Sequence, residues 1–225
     1  MTLPVRLPEG VGLVADDDPS LTRALSLLEQ VLDRAPEPSF PIHVHLGVAD
    51  TSLAIAQVQS RPSRPGEVVM LVSTGVLERL GDREVLSVLA HELGHVQNRH
   101  LRANRDLVPA WLVGIGVAAL TLVLAREAEG VMWWAMAAGV VAMLALRPWI
   151  QGVIHGLDEL EADRFSAELF GVRQAVRTLY QAGPLFSPGH RFSKRWAVGL
   201  EPPNLRVRAR ALLRYQLSRR QTVAA

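Results

Sequence analysis

The sequence predicts an α+β fold that is mainly helical, with a small antiparallel sheet, interrupted by a two-helix transmembrane hairpin. Three observations predict it: apolar residues recur at helical spacing near both ends, three short runs of strand character lie between residues 42 and 73, and two long uncharged segments occupy the middle. Of the 225 residues, 49% are hydrophobic. This is high for a wholly soluble protein, and the excess lies mostly between Leu107 and Ile150.

The composition excludes several classes of site. The chain has no cysteine, so disulfides and thiolate metal sites are excluded, and any metal site must use histidines and carboxylates. Its formal net charge is only +2, and its arginines are interleaved with acids, so we expect no nucleic-acid partner. The first eighteen residues lack the basic start and long apolar core of a signal peptide.

The first helix is predicted to begin after Asp18, which can cap it, with Pro19 in the first helical position. Its apolar stripe consists of Leu21, Leu25, Leu28 and Leu32. Three strands follow, at residues 42–48, 52–59 and 67–73. A second helix is predicted from Asp82 to about Arg105. Beyond the hairpin, further helices are predicted at about 156–170, 172–182 and 204–219.

Two segments, 107–125 and 131–146, contain no charged residue. As helices they span about 28 Å and about 24 Å, and the second can extend through Ile150, so both approach the thickness of a bilayer core. Tryptophans lie near the segment ends, as in an interfacial belt. A buried hairpin in a soluble core is disfavoured because both segments are apolar all round. We therefore predict three regions: 1–106, the first part of one domain; 107–150, a transmembrane hairpin; and 151–225, the rest of that domain.

The residues His-Glu-Leu-Gly-His occupy positions 91–95, inside the second predicted helix. On a helix, His91 and His95 lie one turn apart on the same face, so both imidazoles can reach one tetrahedral ion. Glu92 lies about 100° further round, where it can touch a metal-bound water without ligating the metal. Two solvated histidines on a polar surface are the alternative. Apolar residues on both sides of Glu92 argue against it, because they would partly bury a carboxylate that nothing uses.

A catalytic zinc needs a third protein ligand and one open position. Residues 158–170 offer carboxylates on a further predicted helix, where Glu159 and Asp163 are four residues apart and share one face. One can ligate zinc while the other accepts the free N–H of a ligating histidine. The spacing does not say which. Asp158 and Glu161 fit solvated positions at an acidic helix start.

The family that the sequence resembles at these residues is the HtpX-type membrane metallopeptidases, with the CAAX prenyl proteases as more distant relatives. The resemblance rests on HELGH, two membrane segments and ELEADRFSAELFG in that order, and covers about residues 68–171 with a weaker part near Arg208. It implies a zincin-like peptidase domain of the gluzincin type. It also implies that Glu159 is the third zinc ligand and that Asp163 supports a ligating histidine.

This chain departs from the family pattern in two ways. The family usually begins with an extra pair of membrane helices, which is not seen here. It also often carries His-Pro-Pro before an arginine near the C-terminus, where this chain has Glu201-Pro202-Pro203. The residue that would stabilise an oxyanion is therefore not identified; His190 or an arginine could substitute.

The remaining histidines leave alternatives open. His43 and His45 alternate on a predicted strand and could form a second metal site, although an ordinary sheet face is favoured. His155 shares a face with the carboxylates that follow it and could support the site or compete as a ligand. His100 lies past the metal-binding turn and fits a structural role.

From these residues and the resemblance we expect a membrane-anchored zinc metalloendopeptidase with one Zn²⁺ per chain, bound by His91, His95 and Glu159. Glu92 would take the proton of the attacking water. Substrates would be proteins or peptides, with membrane proteins in quality control implied by the resemblance. An extended substrate would add to the sheet edge, with residues 68–73 as the candidate strand. The main alternative is a catalytically silent zinc-binding membrane scaffold; another is a soluble peptidase whose hairpin docks on a partner.

The expected location is the inner cell membrane, with several spans and with both termini and the site in the cytoplasm. Two spans return the chain to the side it left, so residues 91 and 159 can meet at one ion. Arginines flank the hairpin at 99, 102, 105, 147 and 164, whereas the turn holds only Arg126 beside two glutamates. Cytoplasmic flanks are the ones enriched in Arg and Lys, so we expect the turn outside.

Overall fold

The structure, a computed structural model, describes residues 11–37, 42–60, 66–98, 107–124, 130–186 and 204–224. Within these ranges the elements are β1 (Gly12–Leu13), α1 (Pro19–Arg34), β2 (His43–Asp50), β3 (Ala56–Ser60), β4 (Glu67–Ser73), α2 (Thr74–Arg79), α3 (Asp82–Gln97), α4 (Leu107–Leu124), α5 (Val131–Phe170), α6 (Val172–Phe186) and α7 (Leu205–Ala224). The fold is mainly helical with one small sheet, as predicted. The short elements β1 and α2 were not predicted.

The described chain divides into two units. The first contains the sheet, α1 to α3, the part of α5 from Asp158 onward, α6 and α7. The second contains α4 and the part of α5 that ends at Leu157. All of the side chains of the candidate site described below belong to the first unit.

The sheet is mixed, so the prediction of an antiparallel sheet was wrong. Its strand order is β1-β2-β4-β3, with β2 parallel to β4 and the other two pairs antiparallel. The cause is the connection after β2, which crosses the carboxyl end of β4: the amide of Gly75 donates to the Thr51 carbonyl, and the amide of Ile55 donates to the Ser73 hydroxyl. β3 therefore returns on the far side of β4, and β2 and β4 become neighbours that run in the same direction.

This strand order also overturns the candidate substrate edge. β4 pairs with β2 on one side and with β3 on the other, so its backbone cannot accept a further strand. The side chains of β4 are buried from Val68 to Ser73. This pattern is typical of a central strand that is covered on both faces. The outermost strand on that side of the sheet is β3.

The first helix begins as predicted, but the predicted leucine stripe was wrong: Leu25 and Leu32 are exposed, and the buried face consists of Ala24, Leu27, Leu28 and Val31. The carboxylate of Asp18 accepts a hydrogen bond from the amide of Ser20 at 2.7 Å, and Pro19 begins the helix. The guanidinium of Arg23 donates to Asp82 at 2.9 and 2.6 Å and to the carbonyl of Leu77, which joins α1 to the start of α3. α1, the sheet and α3 enclose a common core, which includes Leu28, Val48, Met70 and Leu89.

Helices α3 and α5 approach closely within the first unit. A Cβ atom added to Gly94 would lie 2.9 Å from the Cα of Ala162, so this glycine permits the contact. Two turns earlier on α3, the buried Ser87 hydroxyl lies 2.8 Å from that of Ser166, which also donates to the Ser87 carbonyl. The helix of the His-Glu-Leu-Gly-His segment and the helix of the acidic segment are thus held together at these two levels.

The second apolar segment and the acidic helix form one continuous helix, α5, with Pro148 inside it. A helix end near residue 150 was therefore a wrong expectation. Among the described helices, α5 is the one long and apolar enough to cross a membrane by length and composition, whereas the apolar helix Val108–Leu124 is shorter. In the second unit, α4 and α5 touch where a Cβ on Gly139 would meet the Gly114 carbonyl oxygen at 2.6 Å.

Candidate metal centre

Two helices supply the side chains of the centre. α3 carries His91, Glu92 and His95, and α5 carries Glu159 and Asp163. α3 begins without a side-chain cap, but Asp82 and Glu84 lie in its first turn, where acidic groups interact favourably with the helix dipole. The centre forms where the two helices pack at Gly94.

The ligand atoms of His91, His95 and Glu159 converge. Nε2 of His91 and Nε2 of His95 lie 3.2 Å apart, and each lies 3.5 Å from an oxygen of Glu159. Ligands about 2.0–2.1 Å from a tetrahedral ion are about 3.3–3.4 Å apart. The two 3.5 Å distances end on different oxygens of Glu159, and with one atom from each residue the three ligand atoms lie within 4.8 Å of one another, a group that could hold one metal ion. Among the described residues they are also the one group of His, Cys, Asp or Glu side chains that could hold a metal.

Asp163 orients the first histidine. Nδ1 of His91 lies 3.0 Å from Oδ1 of Asp163, whose side chain is only 4% exposed. In that contact Nδ1 donates its proton to the carboxylate, so in the neutral ring the lone pair of Nε2 faces the other ligands. This matches what a carboxylate beside a metal-ligating histidine does.

Arg208 of α7 joins both carboxylates of the centre. Its Nε and Nη2 donate to the two oxygens of Asp163 at 2.7 and 2.6 Å, and its Nη1 lies 2.7 Å from Oε2 of Glu159. The guanidinium side chain is 12% exposed. It therefore holds Glu159 and Asp163 in a fixed relation and offsets part of their charge. Sequence reasoning did not assign Arg208 to the site.

Glu92 lies beside the converging ligands but is not one of them. It is buried, with 8% of its surface exposed. Burial raises the pKa of its carboxyl above the usual range, and the nearby charges of His91 and His95 oppose this only in part. A carboxylate with a raised pKa in a buried site is the kind of group that takes up a proton efficiently near neutral pH.

Contacts within the centre also shift the pKa values of His91, Glu159 and Asp163. For His91, burial lowers the pKa, but the hydrogen bonds to Asp163 and Glu159 outweigh it and raise the pKa to about 10. For Glu159 and Asp163, burial raises the pKa, and contacts with His91 and Arg208 more than compensate, so both pKa values lie below their usual range. Both carboxylates are thus ionised at neutral pH, as metal ligation requires.

The remaining sequence candidates fall elsewhere or outside the described residues. His45 lies 3.8 Å from Glu67 on the sheet, and neither His43 nor His45 belongs to a metal-binding group within the described ranges. His100, His190 and residues 201–203 lie outside the described residues. The expectation that Asp158 occupies a solvated helix start was wrong, because it is buried inside the continuous helix α5, whereas Glu161 is exposed.

The comparison with known families decides the classification. The sequence pattern of peptidase family M48 matches residues 63–212, which include both motif helices and Arg208. The chain belongs to peptidase family M48. The resemblance to HtpX-type enzymes is also confirmed, because similar sequences include the protease HtpX homolog of Ralstonia pickettii, 33% identical over 117 residues. That alignment covers 50% of this chain and 40% of the relative.

Two further relatives define how far the similarity reaches. The protease HtpX homolog of Burkholderia mallei strain SAVP1 is 28% identical over 162 residues, which is 65% of this M48 chain and 56% of the relative. The crystal structure of S. mikatae Ste24p has a TM-score of 0.52 at 18% identity and covers 90% of this chain and 51% of that one. The chain thus spans about half the length of these relatives, and at this identity the Ste24p structure supports the fold alone.

Proposed function

We propose that this M48 chain is a membrane-anchored zinc metalloendopeptidase. The observation that carries the proposal is the convergence of His91, His95 and Glu159 on one point, with the buried carboxylate of Glu92 beside them. Two imidazoles and one carboxylate form a three-ligand set that is typical of catalytic zinc and leaves one position open. A structural zinc site closes with a fourth protein ligand, and none of the described residues supplies one.

The residues of the centre have separate parts in the proposed hydrolysis. Zinc, when bound, would polarise the scissile carbonyl and acidify a water molecule. Glu92 accepts the proton of that water and later delivers it to the leaving amine. Asp163 holds the imidazole of His91 in the tautomer that leaves Nε2 available, and Arg208 holds Asp163 and Glu159 in place.

The proposed anchor is the hairpin of α4 and α5. Support comes from the apolar length of α5, from the contact of the two helices at Gly114 and Gly139, and from large exposed apolar side chains such as Trp133 and Trp134 at 69% and 73%. Gly, Ala and other small residues at such contacts let membrane helices approach closely. The distribution of arginines around the hairpin supports a cytoplasmic centre with both termini on the same side.

The proposed substrates are proteins or peptides in extended form, and membrane proteins are the class that a membrane-anchored chain would meet first. Backbone hydrogen bonds to an outer strand of a sheet are a common way to hold an extended peptide. Because β4 is central, the strand that we propose for this role is β3, Ala56–Ser60.

The test uses Glu92→Gln and a matched control, Glu161→Gln, which changes an exposed carboxylate on α5. Full-length protein is purified in detergent, its zinc content is measured, and cleavage of an unfolded model protein is followed. We expect Glu92→Gln to keep one zinc per chain and to lose cleavage, because it removes a proton acceptor and no ligand. We expect Glu161→Gln to keep both.

The same measurement separates the alternatives. If the wild-type chain binds zinc but cleaves nothing, the catalytically silent scaffold is favoured over the peptidase. If His91→Ala retains full stoichiometric zinc, the proposed metal site is wrong. If Glu92→Gln cleaves at the wild-type rate, the assignment of the base is wrong.

A further inference from the structure

Helix α7 presents a basic and apolar outer surface that the proposed reaction does not use. The helix contains six arginines and no acidic residue. Three exposed arginines at four-residue spacing and three exposed aliphatic residues form this surface, called the α7 outer face: Arg206, Val207, Arg210, Leu213, Arg214 and Leu217. The aliphatic members are 50%, 49% and 60% exposed, in chain order.

The opposite side of α7 is fixed to the first unit. Arg208 is bound to Asp163 and Glu159, Leu212 is 1% exposed in a small core, and the Tyr215 hydroxyl donates to Glu168. These contacts occur along two turns of the helix, so they determine which side of α7 faces outward. The outer face is therefore a fixed surface of the folded protein.

The composition of the α7 outer face matches an anionic lipid surface. Arginines whose stems lie along exposed leucines can bury the stems in the acyl boundary while the guanidinium groups reach the headgroups. Each arginine or lysine near an anionic leaflet strengthens association by about fivefold, so three of them supply on the order of 100-fold. A helix that combines basic and apolar residues in this way is typical of segments that lie in a membrane interface.

We propose that the α7 outer face docks on the anionic lipid surface of the membrane that anchors the chain. This rests on the membrane anchoring proposed above, because a chain held in a bilayer keeps its soluble unit at high local concentration near that surface. Docking would orient the unit by way of α7, and α7 carries Arg208, which contacts the metal centre.

The test is spin labelling of the full-length, cysteine-free chain in nanodiscs. One nitroxide is placed at Gln221→Cys, an exposed position that points to the same side of α7 as the outer face but is not one of its six residues. A reference nitroxide is placed at Glu29→Cys, an exposed position on α1. Val140→Cys, on the proposed membrane part of α5, reports insertion. Access of oxygen and of a water-soluble nickel chelate is compared between discs of phosphatidylcholine and discs containing 30% phosphatidylglycerol.

We expect the label at position 221 to lose access to the nickel chelate and to gain access to oxygen in anionic discs, with no change at position 29. The face variant carries Arg206→Gln, Arg210→Gln and Arg214→Gln. In this variant the change in access at position 221 should disappear, because the docking equilibrium weakens on the order of 100-fold. A control of equal charge change should keep the effect. It carries Arg79→Gln, Arg83→Gln and Arg173→Gln, which are all exposed and lie on helices other than α7.

Each outcome has a distinct meaning. Equal access at position 221 in both discs, with position 140 shielded from nickel, refutes docking while the anchoring stands. Exposure of position 140 to nickel refutes the anchoring and this proposal together. Equal loss of the effect in both triple variants shows a general charge effect and refutes the assignment to α7. Bound zinc and an unchanged melting temperature in the face variant establish that it is folded.

Discussion

Replacing Gly94 with alanine should damage the metal centre although Gly94 ligates nothing. The added Cβ would lie 2.9 Å from the Cα of Ala162, 3.1 Å from the Cβ of Phe165 and 3.2 Å from the Ala162 carbonyl oxygen. Two of these three atoms are backbone atoms of α5, which cannot move aside as the end of a flexible side chain can. The helices α3 and α5 would have to separate instead.

The size of the effect follows from the distances. Carbon atoms in good contact lie about 3.5–4.0 Å apart, so the helices must separate locally by about 0.6 Å or more. The ligand atoms of α3 lie 3.5 Å from the Glu159 oxygens, and metal–ligand distances tolerate only about 0.2 Å. We therefore expect zinc affinity to fall about 10–100-fold, the range seen when support for metal ligands is lost. Stability has two opposing contributions: alanine is favoured in a helix by about 1 kcal/mol, and overpacking costs about 1–3 kcal/mol.

The assay is competition for zinc against a chelator of known affinity, together with thermal unfolding of the metal-free chain. The matched control is Gly116→Ala, the same substitution in helix α4, where an added Cβ meets no atom within 4 Å. Gly116→Ala should leave zinc affinity unchanged and should leave stability equal or slightly higher. Wild-type zinc affinity in Gly94→Ala, with a raised melting temperature, would refute the close contact of α3 and α5 as the reason for this glycine.

Three further outcomes are expected. Zinc binding at pH 8 should release a proton from His91, because the pKa of about 10 keeps this ring protonated in the metal-free chain and zinc requires it neutral. Zinc affinity should therefore rise as the pH rises from 7 to 10. Calorimetry in two buffers should find that Asp163→Asn releases fewer protons than the wild-type chain. Arg208→Met should lower the stability of the metal-free chain by about 3–5 kcal/mol in denaturant unfolding, since two buried carboxylates lose one of their two cations and the hydrogen bonds that it donates. Equal stability would contradict the ion pairs described. Glu127→Cys should react with an impermeant thiol reagent on intact cells, whereas a cysteine at Ala225 should not. The reverse pattern would show that the topology is opposite to the one proposed.

The sequence predicted best those features that depend on neighbours a few residues apart. The cap at Asp18 and the helix after it are local, because a side chain two residues away satisfies the exposed amide. The pairing of His91 with His95 is equally local, because one helical turn separates them. Helical spacing offered both Glu159 and Asp163 as partners of His91, and only the resemblance chose Glu159 as the ligand. The structure brings the ligand atoms of residues 91 and 159 to 3.5 Å.

The order of the strands could not be predicted from strand patterns. Alternating apolar residues and turn residues predicted that β3 and β4 are strands. They did not predict which strands are neighbours, because the same strands could form an antiparallel meander or the observed order. The difference lies in the connection after β2, which the hydrogen bonds of Thr51 and Ser73 hold across the end of β4. Its consequence is functional, since it moves the candidate substrate edge from β4 to β3.

Arg208 shows why a site is larger than its motifs. The two motif helices place five side chains, but two carboxylates among them, Glu159 and Asp163, would repel each other in a buried site. Protonated His91 offsets part of this repulsion, and Arg208 on α7, 45 residues beyond Asp163 in the chain, adds a second cation. No spacing rule links such positions. Helix α7 carries Arg208, which contacts Glu159 and Asp163, and its outer face is the surface proposed to contact lipid. Under that proposal, the same helix would link membrane contact to the geometry of Glu159.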